Sequence, residues 1–349
     1  MSEKNKSVFE GLFKEDKPIQ HFNELVWAYA ASGVVMASCR LEVFSILEAG
    51  ALTAKEISKK CKADHRAMEK LLIACVALGL ARKDGEKYRN SSFAKEYLVK
   101  GKQAFQGSII EHHRIWEHWQ NLDLYVRTGV RQDTRLSRAG RKAEDRAHKM
   151  RHREWILGMH NIAMAGQAKA LCDVLDLKGK KQLLDVGGGP GSYSIALCFK
   201  FPKLKATVFD LPETLVIARE TIRHFKITDR VRTTEGDFLK DSYGSNNDVV
   251  LLSSVLHGEL AAHCKIMFKK AFDSMVKGGI VVAQETFLND NKTGPLMPAI
   301  FNLHMAHFGA SYTSKEIMDF AKSVGFAEVK FKPVEGYGLL NGVVIGKKL

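Results

Sequence analysis

The pattern of apolar and polar positions divides the chain into a largely helical first half and a second half of alternating strands and helices. Up to about residue 180, apolar residues recur at helical spacing, which predicts amphipathic helices. Beyond residue 182 the apolar runs are short, and many stop at a small or acidic residue. These runs are QLLDVGGG, KATVFDL, RVRTTEGD, NDVVLLSSVL, GGIVVAQET and GVVIGKK. Helical segments separate them, so the pattern predicts a mainly parallel sheet covered by helices on both faces.

The first half contains the signals of a small, mainly helical module. Thr53 and Glu56 have the spacing of a capping box at the start of a helix. A longer helix is predicted over 65–81, and a hairpin that turns at Asp84-Gly85 follows it. Helix, turn, longer helix and hairpin is the order of a winged-helix module, a variant of the helix-turn-helix.

The predicted fold class is therefore α/β, with a doubly wound Rossmann-like domain preceded by a mainly α-helical winged-helix domain. A chain of 349 residues has room for two domains of ordinary size. The predicted boundaries are a flexible arm over 1–20, the winged-helix domain over 21–104, a helical connector with a basic segment over 105–180 and the α/β domain over 181–349.

Charge and cysteine usage narrow the function classes without choosing one. Lys and Arg number 53 against 39 Asp and Glu, so the formal net charge of +14 favours nucleic acid, an acidic membrane surface or a small anionic substrate. The six cysteines lie far apart without a CxxC pair, which argues against a zinc ribbon or a disulfide framework. The charged start lacks a signal peptide, and no run reaches the ~20 apolar residues of a membrane span, so we expect a cytoplasmic protein.

A glycine-rich turn provides the first candidate site. In LLDVGGGPGSYSIAL, Gly187 and its neighbours connect a predicted strand to a predicted helix, where the backbone can approach a ligand closely. Asp210 ends the next strand, about 20 residues downstream, where an acid can accept hydrogen bonds from both hydroxyls of a ribose. Asp237 is predicted to end the strand after that. The turn matches the dinucleotide fingerprint only partly and carries no Lys or Arg, so an adenosyl ligand without phosphates fits better.

Taken in order, these motifs resemble those of class I S-adenosylmethionine-dependent small-molecule O-methyltransferases. This group includes plant phenolic and bacterial natural-product or carotenoid-type enzymes. The ordered set is DVGGG, DLP, GDF, LH and GG, within LLDVGGGPGSYSIAL, FPKLKATVFDLPET, DRVRTTEGDFLKD, NDVVLLSSVLHGE and VKGGIVVAQETFLNDNKTGPL. The resemblance covers about residues 20–345. It implies S-adenosyl-L-methionine as the cofactor and a homodimer formed through the N-terminal winged-helix domain.

The resemblance also implies a cofactor site along the carboxyl edge of the sheet. Its residues are Gly187 and Gly189 at the methionine end, Asp210 on the ribose, Leu211 in the adenosine pocket, Asp237 and Phe238 at the adenine, and Ser253 as a further contact. Taken singly, each acid also fits a strand-end or capping carboxylate, and Phe238 also fits a core aromatic residue. The ordered set of motifs favours the cofactor site.

One histidine matches the general base of the family. His257 follows the apolar run VVLLSSVL, and histidine suits the removal of a hydroxyl proton because its pKa lies near neutrality. Glu285 matches a carboxylate that orients this histidine in relatives. The chain departs from the family in Gly258-Glu259-Leu260, where many relatives have Asp, Trp and Asp, and over 310–313, where plant members carry a second glutamate. A loop histidine without a catalytic role is the alternative interpretation.

Apolar and histidine side chains are candidates for an acceptor pocket. The predicted acceptor-binding residues are Met159, Met305, His307 and Phe308, with Trp116 and Trp119 as further candidates. Helix packing is the alternative explanation for such residues. His304 and His307 are three apart and could form a metal site with His257 or Glu285. We expect them to line a pocket instead, and no metal is predicted.

The predicted function is methyl transfer from S-adenosylmethionine to a hydroxyl of a small aromatic or conjugated acceptor, and the positive charge suits an anionic one. The alternatives are carbon methylation or a non-methylating decarboxylase or hydroxylase on the same scaffold, and an S-adenosylmethionine-sensing DNA-binding regulator. Against the regulator, the helix over 65–81 has only Arg66 and Lys70 as basic residues, so no nucleic-acid partner is predicted. The basic interval 131–153 is expected to be a solvated helix face, with a lip over the acceptor site as its alternative.

Overall fold

The structure is a computed structural model that describes residues 18–107, 119–130, 146–305, 309–334 and 339–349. The chain divides into two compact units, residues 1–111 and 112–349. The predicted positions that lie outside the described residues are most of the arm over 1–20, Trp116, the segment 131–145 of the basic interval, His307 and Phe308.

The first unit consists of helices and a small antiparallel sheet. Its helices are α1 (Pro18–Arg40), α2 (Val43–Ile46), α3 (Ala54–Cys61), α4 (His65–Ala77) and α5 (Ser92–Tyr97). Its strands are β1 (Leu52–Thr53), β2 (Ala81–Asp84) and β3 (Lys87–Asn90), which pair in the order β1-β3-β2. A 3-10 turn, Leu47–Ala49, follows α2.

Local signals in the sequence account for the start of α3 and for the hairpin. The backbone N–H of Glu56 donates to the hydroxyl of Thr53, and the N–H of Thr53 donates to the carboxylate of Glu56, which confirms the predicted capping box. Asp84 pairs with Lys87 in the antiparallel ladder of β2 and β3, which confirms the predicted hairpin. Two short polar patterns therefore determine where these elements begin and turn.

The long helix of this unit is shorter than predicted. α4 ends at Ala77, so the prediction of helix through residue 81 is wrong at its end. Gly79 has a φ of 71°, a left-handed conformation that redirects the chain into β2. The buried face of α4 includes Met68 and Leu72, which are at most 2% exposed and belong to the core of this unit.

α1 differs from the other helices of the unit because much of its apolar surface is exposed. Its exposed apolar side chains are Phe22, Leu25, Val26, Trp27 and Tyr29. Within the described ranges, no single helix has the length and apolar character needed to cross a membrane. Phe22–Arg40 and Val43–Ala49 meet those requirements only as a pair bent by 52°.

The second unit is built from a central sheet and the helices around it. Its helices are α6 (Leu122–Thr128), α7 (Arg146–Ile162), α8 (Ala168–Val174), α9 (Ser192–Lys200), α10 (Pro212–His224), α11 (Ala261–Ser274), α12 (Leu296–His304) and α13 (Ser314–Ser323). Its strands are β4 (Gln182–Val186), β5 (Lys205–Asp210), β6 (Val231–Glu235), β7 (Asn247–Ser253), β8 (Met275–Glu285), β9 (Ala327–Pro333) and β10 (Gly342–Lys347). A π-helical segment, Ala163–Gln167, joins α7 to α8.

The strands of this unit pair in the order β6-β5-β4-β7-β8-β10-β9. The pairs from β6 to β8 are parallel, and β10 is antiparallel to both β8 and β9. One hydrophobic cluster includes Leu171 and Ile195, and another includes Phe268 and Ile317, so helices pack on both faces as predicted. The apolar pattern misses β9, because AEVKFKP interleaves lysines with apolar residues at the edge of the sheet.

Parallel pairing brings the carboxyl ends of four strands to one edge of the sheet. Val186 of β4 pairs with Phe209 of β5 and with Leu252 of β7, and Ser253 of β7 pairs with Gln284 of β8. The chain at the ends of these strands therefore lies close together, which is where open α/β sheets bind ligands. Those strand ends carry Gly187, Asp210, His257 and Glu285.

Candidate functional site

The glycine turn between β4 and α9 favours glycine because of its backbone conformation and, at Gly187 and Gly188, because of close neighbours. Gly187 and Gly189 have φ values of 66° and 55°, in the left-handed region that favours glycine. A Cβ on Gly187 would lie 2.9 Å from Cγ2 of Val255, and one on Gly188 would lie 2.7 Å from the carboxylate carbon of Asp185. The N–H of Gly187 donates to the carbonyl of Phe209 at 2.8 Å, which ties the turn to β5. The turn is thus a backbone surface that a ligand can approach closely.

Asp185 lies beneath this turn and was missed by the sequence interpretation. It is fully buried, and its Oδ2 accepts a hydrogen bond from the hydroxyl of Ser194 at 2.7 Å. No described residue bonds its Oδ1, and burial raises the pKa of Asp185 to about 7. An acid inside the apolar run directly before the glycines was the signal that could have found it.

Asp210 is held against the glycine turn from the neighbouring strand. It is the last residue of β5, as predicted, and its Oδ2 accepts the N–H of Gly189 at 2.8 Å. Its Oδ1 accepts the N–H of Leu211 at 2.7 Å. Burial raises the pKa of Asp210, and these two hydrogen bonds oppose the rise. The carboxylate therefore has a fixed orientation beside the turn, and the side chain of Leu211 next to it is exposed.

Asp237 and Phe238 follow β6 rather than end it. The strand stops at Glu235, so the prediction that Asp237 ends the strand is wrong by two residues, because the chain here enters a turn closed by a bond from the N–H of Asp237 to Asp241. The ammonium of Lys240 lies 2.8 Å from the Asp237 carboxylate and lowers the pKa of that group. The ring of Phe238 approaches within 3.9 Å of the Cβ position of Gly187. The structure therefore brings Phe238 to the glycine turn.

Ser253 is buried at the end of β7, where its hydroxyl is already engaged. It donates to Oε1 of Gln284 on β8 at 2.9 Å. In the part of the chain that the structure describes, Nε2 of Gln284 has no hydrogen-bond partner. The predicted contact at Ser253 thus lies within a polar pair that joins two strand ends.

His257 occupies a 3-10 turn, Leu256–Gly258, rather than a position directly after a strand. β7 ends at Ser253 because Ser254 takes a φ of 54° and breaks the extended backbone. The Nδ1 atom of His257 lies 2.7 Å from Oε2 of Glu285. The other oxygen of Glu285 accepts the N–H of Leu256 at 2.7 Å. The predicted pair of His257 and Glu285 is therefore brought together by the ends of β7 and β8.

The surroundings of His257 determine which nitrogen can act. A carboxylate only accepts hydrogen bonds, so Nδ1 carries the proton and Nε2 has a free lone pair in the neutral ring. No described residue bonds Nε2. Burial pulls the pKa of His257 down, the charge and hydrogen bond of Glu285 push it up, and the net effect is a raised pKa. The ring of Phe301 packs edge-on at 5.1 Å and limits the motion of the imidazole.

The predicted acceptor residues are placed on two helices of the second unit. Met159 lies in α7 and Met305 directly follows α12, and both are half-buried. The described contact from α12 to His257 runs through Phe301, which the sequence interpretation missed; it lies one helical turn before His304, and their rings stack at 5.7 Å. Among residues that the structure describes, no three His, Cys, Asp or Glu side chains form a group that could hold a metal ion.

Comparison with known proteins identifies this arrangement. The O-methyltransferase domain family matches residues 119–327, and the O-methyltransferase dimerisation domain family matches residues 23–100. This chain belongs to the O-methyltransferase family. It is an S-adenosylmethionine-dependent O-methyltransferase of small molecules.

Relatives match this O-methyltransferase over almost its whole length. The 3-hydroxy-5-methyl-1-naphthoate 3-O-methyltransferase of Streptomyces sahachiroi is 31% identical, over 89% of this chain and 90% of the relative. Acetylserotonin O-methyltransferase of Gallus gallus is 28% identical, over 92% of this chain and 94% of the relative. The structure of human N-acetylserotonin methyltransferase in complex with S-adenosylmethionine superposes with a TM-score of 0.82 at 24% identity, over 100% of this chain and 99% of that one.

The residues of this O-methyltransferase fit its cofactor. The glycine turn carries no side chains and has no room for one at Gly187 or Gly188, so a ligand there would meet backbone. Beneath it, Oδ1 of Asp185 has no partner among the described atoms, so an acceptor lies directly under the turn, on the side where a cationic amino-acid end would add a compensating charge. The carboxylate of Asp210, which accepts the N–H groups of Gly189 and Leu211 and lies near the hydroxyl of Thr214, has four lone pairs and so retains acceptor capacity for a hydroxyl donor. An amino-acid end and a ribose therefore both find matching chemistry at this edge.

Proposed function

We propose that this enzyme methylates a hydroxyl group of a small aromatic or conjugated acceptor, with His257 as the general base and Glu285 as its positioning residue. The observation that carries the proposal is the 2.7 Å contact between Nδ1 of His257 and Oε2 of Glu285. It leaves Nε2 as the basic nitrogen at the carboxyl edge of the sheet, next to the strand ends that carry the cofactor residues. A base in this position serves a hydroxyl acceptor, whose oxygen is a weak nucleophile while it keeps its proton.

The residues of the chain perform the proton transfer. S-adenosylmethionine, when bound, supplies an electrophilic methyl group. The acceptor hydroxyl donates a hydrogen bond to Nε2 of His257, and its proton moves to Nε2 as the oxygen gains nucleophilic character. The proton on Nδ1 stays between the ring and Glu285, whose negative charge stabilises the imidazolium. The proton leaves Nε2 to solvent after the methylated product departs.

The roles proposed for the cofactor residues follow from their chemistry. Gly187 and Gly189 present backbone to the methionine end, Asp210 accepts the ribose hydroxyls, Leu211 lines the adenosine pocket, Asp237 and Phe238 bind the adenine, and Ser253 is a further contact. The carboxylate of Asp237 suits the exocyclic amine, and a ring at the Phe238 position packs on the face of adenine. The hydroxyl oxygen of Ser253, which donates to Gln284, can still accept a bond from the cofactor.

The acceptor is proposed to be aromatic and compatible with a negative charge. Met159, Met305, His307 and Phe308 form the proposed acceptor site, and methionine and phenylalanine side chains pack well on flat rings. The names of the two curated relatives give a hydroxynaphthoate and acetylserotonin as their substrates, both aromatic. The net charge of +14 favours the anionic member of such a set.

We also propose a cytoplasmic homodimer formed through a winged-helix-type N-terminal domain. The dimerisation-domain match and the helix, helix and hairpin order of α3, α4, β2 and β3 support this assembly. The row of apolar side chains on α1, of which Trp27 is 65% exposed, offers a surface for a second copy. All six cysteines are described and are free thiols, as expected in a reducing compartment. The proposed organisation remains a flexible arm over 1–20, a winged-helix dimerisation domain over 21–104, a helical connector over 105–180 and the methyltransferase domain over 181–349.

The test is a methyl-transfer assay on the purified full-length protein. S-adenosylmethionine is supplied with N-acetylserotonin or a 3-hydroxy-1-naphthoate, and the product is identified by mass spectrometry with fragmentation. The corresponding methyl ethers serve as blocked controls, since they have no hydroxyl proton to lose. Methylation at oxygen that depends on His257 supports the proposal. A product methylated at carbon, or transfer that proceeds equally well in His257→Ala, contradicts it.

A further inference from the structure

Two hydrogen bonds join α9, the helix that follows the glycine turn, to α7, which carries Met159, and to the π-helical segment that follows α7. Nδ1 of His160 lies 2.8 Å from the hydroxyl oxygen of Ser192. The hydroxyl of Tyr193 donates to Oε1 of Gln167 at 3.0 Å. Ser192 and Tyr193 are the first two residues of α9, so both bonds reach the part of α9 nearest the glycine turn.

These bonds are partly buried, and they link groups that stay neutral. Gln167 is 8% exposed and Ser192 is 2% exposed. Burial, with a smaller effect of nearby His224, lowers the pKa of His160 to about 4, so its ring is uncharged near neutral pH. Burial raises the pKa of Tyr193, which keeps its hydroxyl protonated and able to donate. Water does not replace these partners readily, so losing one leaves its buried counterpart unsatisfied.

The backbone between His160 and Gln167 is irregular. The π-helical segment Ala163–Gln167 interrupts the α-helix, and Gly166 within it has a φ of 138° and a ψ of −21°. Single π turns inside α-helices occur often at functional sites, because the extra residue changes the direction of the side chains that follow. Here the irregular turn lies between the two residues that bond α9, and directly after the part of α7 that carries Met159.

We propose that Tyr193 and Gln167 are positioning residues that, with the His160–Ser192 bond, hold the acceptor side of the site in place against the cofactor turn. The inference rests on the proposed function, since it takes Met159 as part of the acceptor site and the glycine turn as the cofactor site. Filling the glycine turn orders the first turn of α9, and the two bonds transmit that order to α7 and α8. Cofactor binding thereby orders the part of α7 that carries Met159, so the binding of the cofactor and the binding of the acceptor are coupled.

The experiment compares the full-length enzyme with Tyr193→Phe, which removes one hydroxyl and keeps the ring, and with Gln167→Met, which removes the acceptor at similar size. Tyr88→Phe is the control for the loss of a tyrosine hydroxyl: Tyr88 is buried, and its hydroxyl has no partner among the described residues. Hydrogen–deuterium exchange is followed in peptides covering 155–175 and 187–200, with and without S-adenosylhomocysteine. Calorimetry measures the affinity of the same ligand for each protein.

The two peptides are expected to respond differently to the substitutions. In the unaltered enzyme and in Tyr88→Phe, S-adenosylhomocysteine protects both 187–200 and 155–175. In Tyr193→Phe and Gln167→Met the ligand binds within about threefold of its normal affinity and still protects 187–200, while its protection of 155–175 falls by about fivefold or more. Equal protection of 155–175 in the unaltered enzyme and in both variants overturns the inference.

Two further readouts distinguish this inference from a merely structural role and from the proposed function. The variant that combines Tyr193→Phe with Gln167→Met should lose no more protection than Tyr193→Phe alone, because that variant already removes the bond to Gln167. With N-acetylserotonin as a probe, KM for the acceptor should rise about tenfold while KM for the cofactor holds, a split that general destabilisation does not produce. If S-adenosylhomocysteine fails to bind the unaltered enzyme, the cofactor assignment fails. In that case, hydrogen–deuterium exchange of 155–175 without ligand tests the two hydrogen bonds by itself. Equal exchange rates in the unaltered enzyme and in the variants then overturn the inference.

Discussion

Glu285 contacts both the ring and the backbone of His257. Its Oε2 lies 2.7 Å from Nδ1 of the ring, and its Oε1 lies 3.4 Å from the backbone nitrogen and accepts the N–H of Leu256. The side chain of Glu285 is only 4% exposed, so little solvent competes for these contacts. One carboxylate therefore sets the position of the turn, the direction of the imidazole and its proton affinity.

Removal of the imidazole should abolish most turnover and spare cofactor binding. We expect His257→Ala to lower kcat by about 10²- to 10⁴-fold, the usual contribution of a general base. Calorimetry with S-adenosylhomocysteine should give an unchanged affinity, because the glycine turn and Asp210 are held by bonds that do not involve His257. His263→Ala is the matched control, since His263 also lies 2.7 Å from a glutamate, Glu259, and has no proposed catalytic role. An equal loss in the two variants would contradict the assignment.

The pH dependence of the rate should report the balance of forces on His257. The neutral ring is the active form, so kcat/KM should rise with pH and level off above an apparent pKa higher than 6.5. In Glu285→Gln, burial acts without the opposing charge, so this apparent pKa should fall and the rising limb should move to lower pH. The plateau itself should fall, since an amide can bond either tautomer. A profile that keeps its midpoint in Glu285→Gln would show that another group titrates.

The same charge pair should contribute to stability with a defined sign. Because the pKa of His257 is raised on folding, its contribution is fully present below the unfolded value near 6.5 and is lost as pH rises through the folded value. Glu285→Gln should therefore destabilise the protein more at pH 5.5 than at pH 9. Thermal unfolding of both proteins at the two pH values measures this difference, and a larger loss at pH 9 would reverse the sign and refute it.

A glycine far along the chain should be required for the position of the base. A Cβ on Gly309 would overlap the carbonyl oxygen of His257, so Gly309→Ala must displace the turn that carries the ring. A displacement of about 1 Å costs about 10²-fold in rate, and we expect that loss in kcat with unchanged affinity for S-adenosylhomocysteine. Gly258→Ala is the control, because a Cβ there meets nothing within 4 Å although it adjoins His257. Full activity in Gly309→Ala would disprove the packing argument.

The role of Asp210 can be separated from its contribution to folding. Asp210→Ala should weaken S-adenosylhomocysteine binding by about 10- to 100-fold, as expected for the loss of hydrogen bonds to a charged group. Asp248 gives a control of the same chemistry at the opposite end of the sheet, where its carboxylate accepts the N–H groups of Lys181 and Gln182 at 2.9 Å. Asp248→Ala should lower the thermal midpoint without changing the affinity. Calorimetry on both variants would contradict the ribose assignment if Asp210→Ala bound the ligand normally.

Local patterns were sufficient for most of the elements, whereas the proposed pair of His257 and Glu285 depended on the resemblance to a family. The capping box at Thr53, the hairpin at Asp84 and the strand that ends at Asp210 depend on neighbours within a few residues. The resemblance indicated that Glu285 orients His257, and the parallel pairing of β7 with β8 is what brings the two side chains to one edge of the sheet. The sequence did not predict that α4 ends at Ala77 or that β7 ends at Ser253. Each of these ends depends on one residue that takes a left-handed conformation.

The sequence by itself determined the fold class, the glycine turn and the chemistry along the sheet edge, because helix and strand periodicities and short motifs act over a few residues. Only the tertiary structure decided what depends on residues far apart in the chain. It placed Gly309 against the carbonyl of His257, and it packed Phe301 on the ring of the base. It also buried Asp185 with one oxygen unbonded by any described residue. Such contacts arise from the close packing of whole elements, and no pattern within a single segment encodes them.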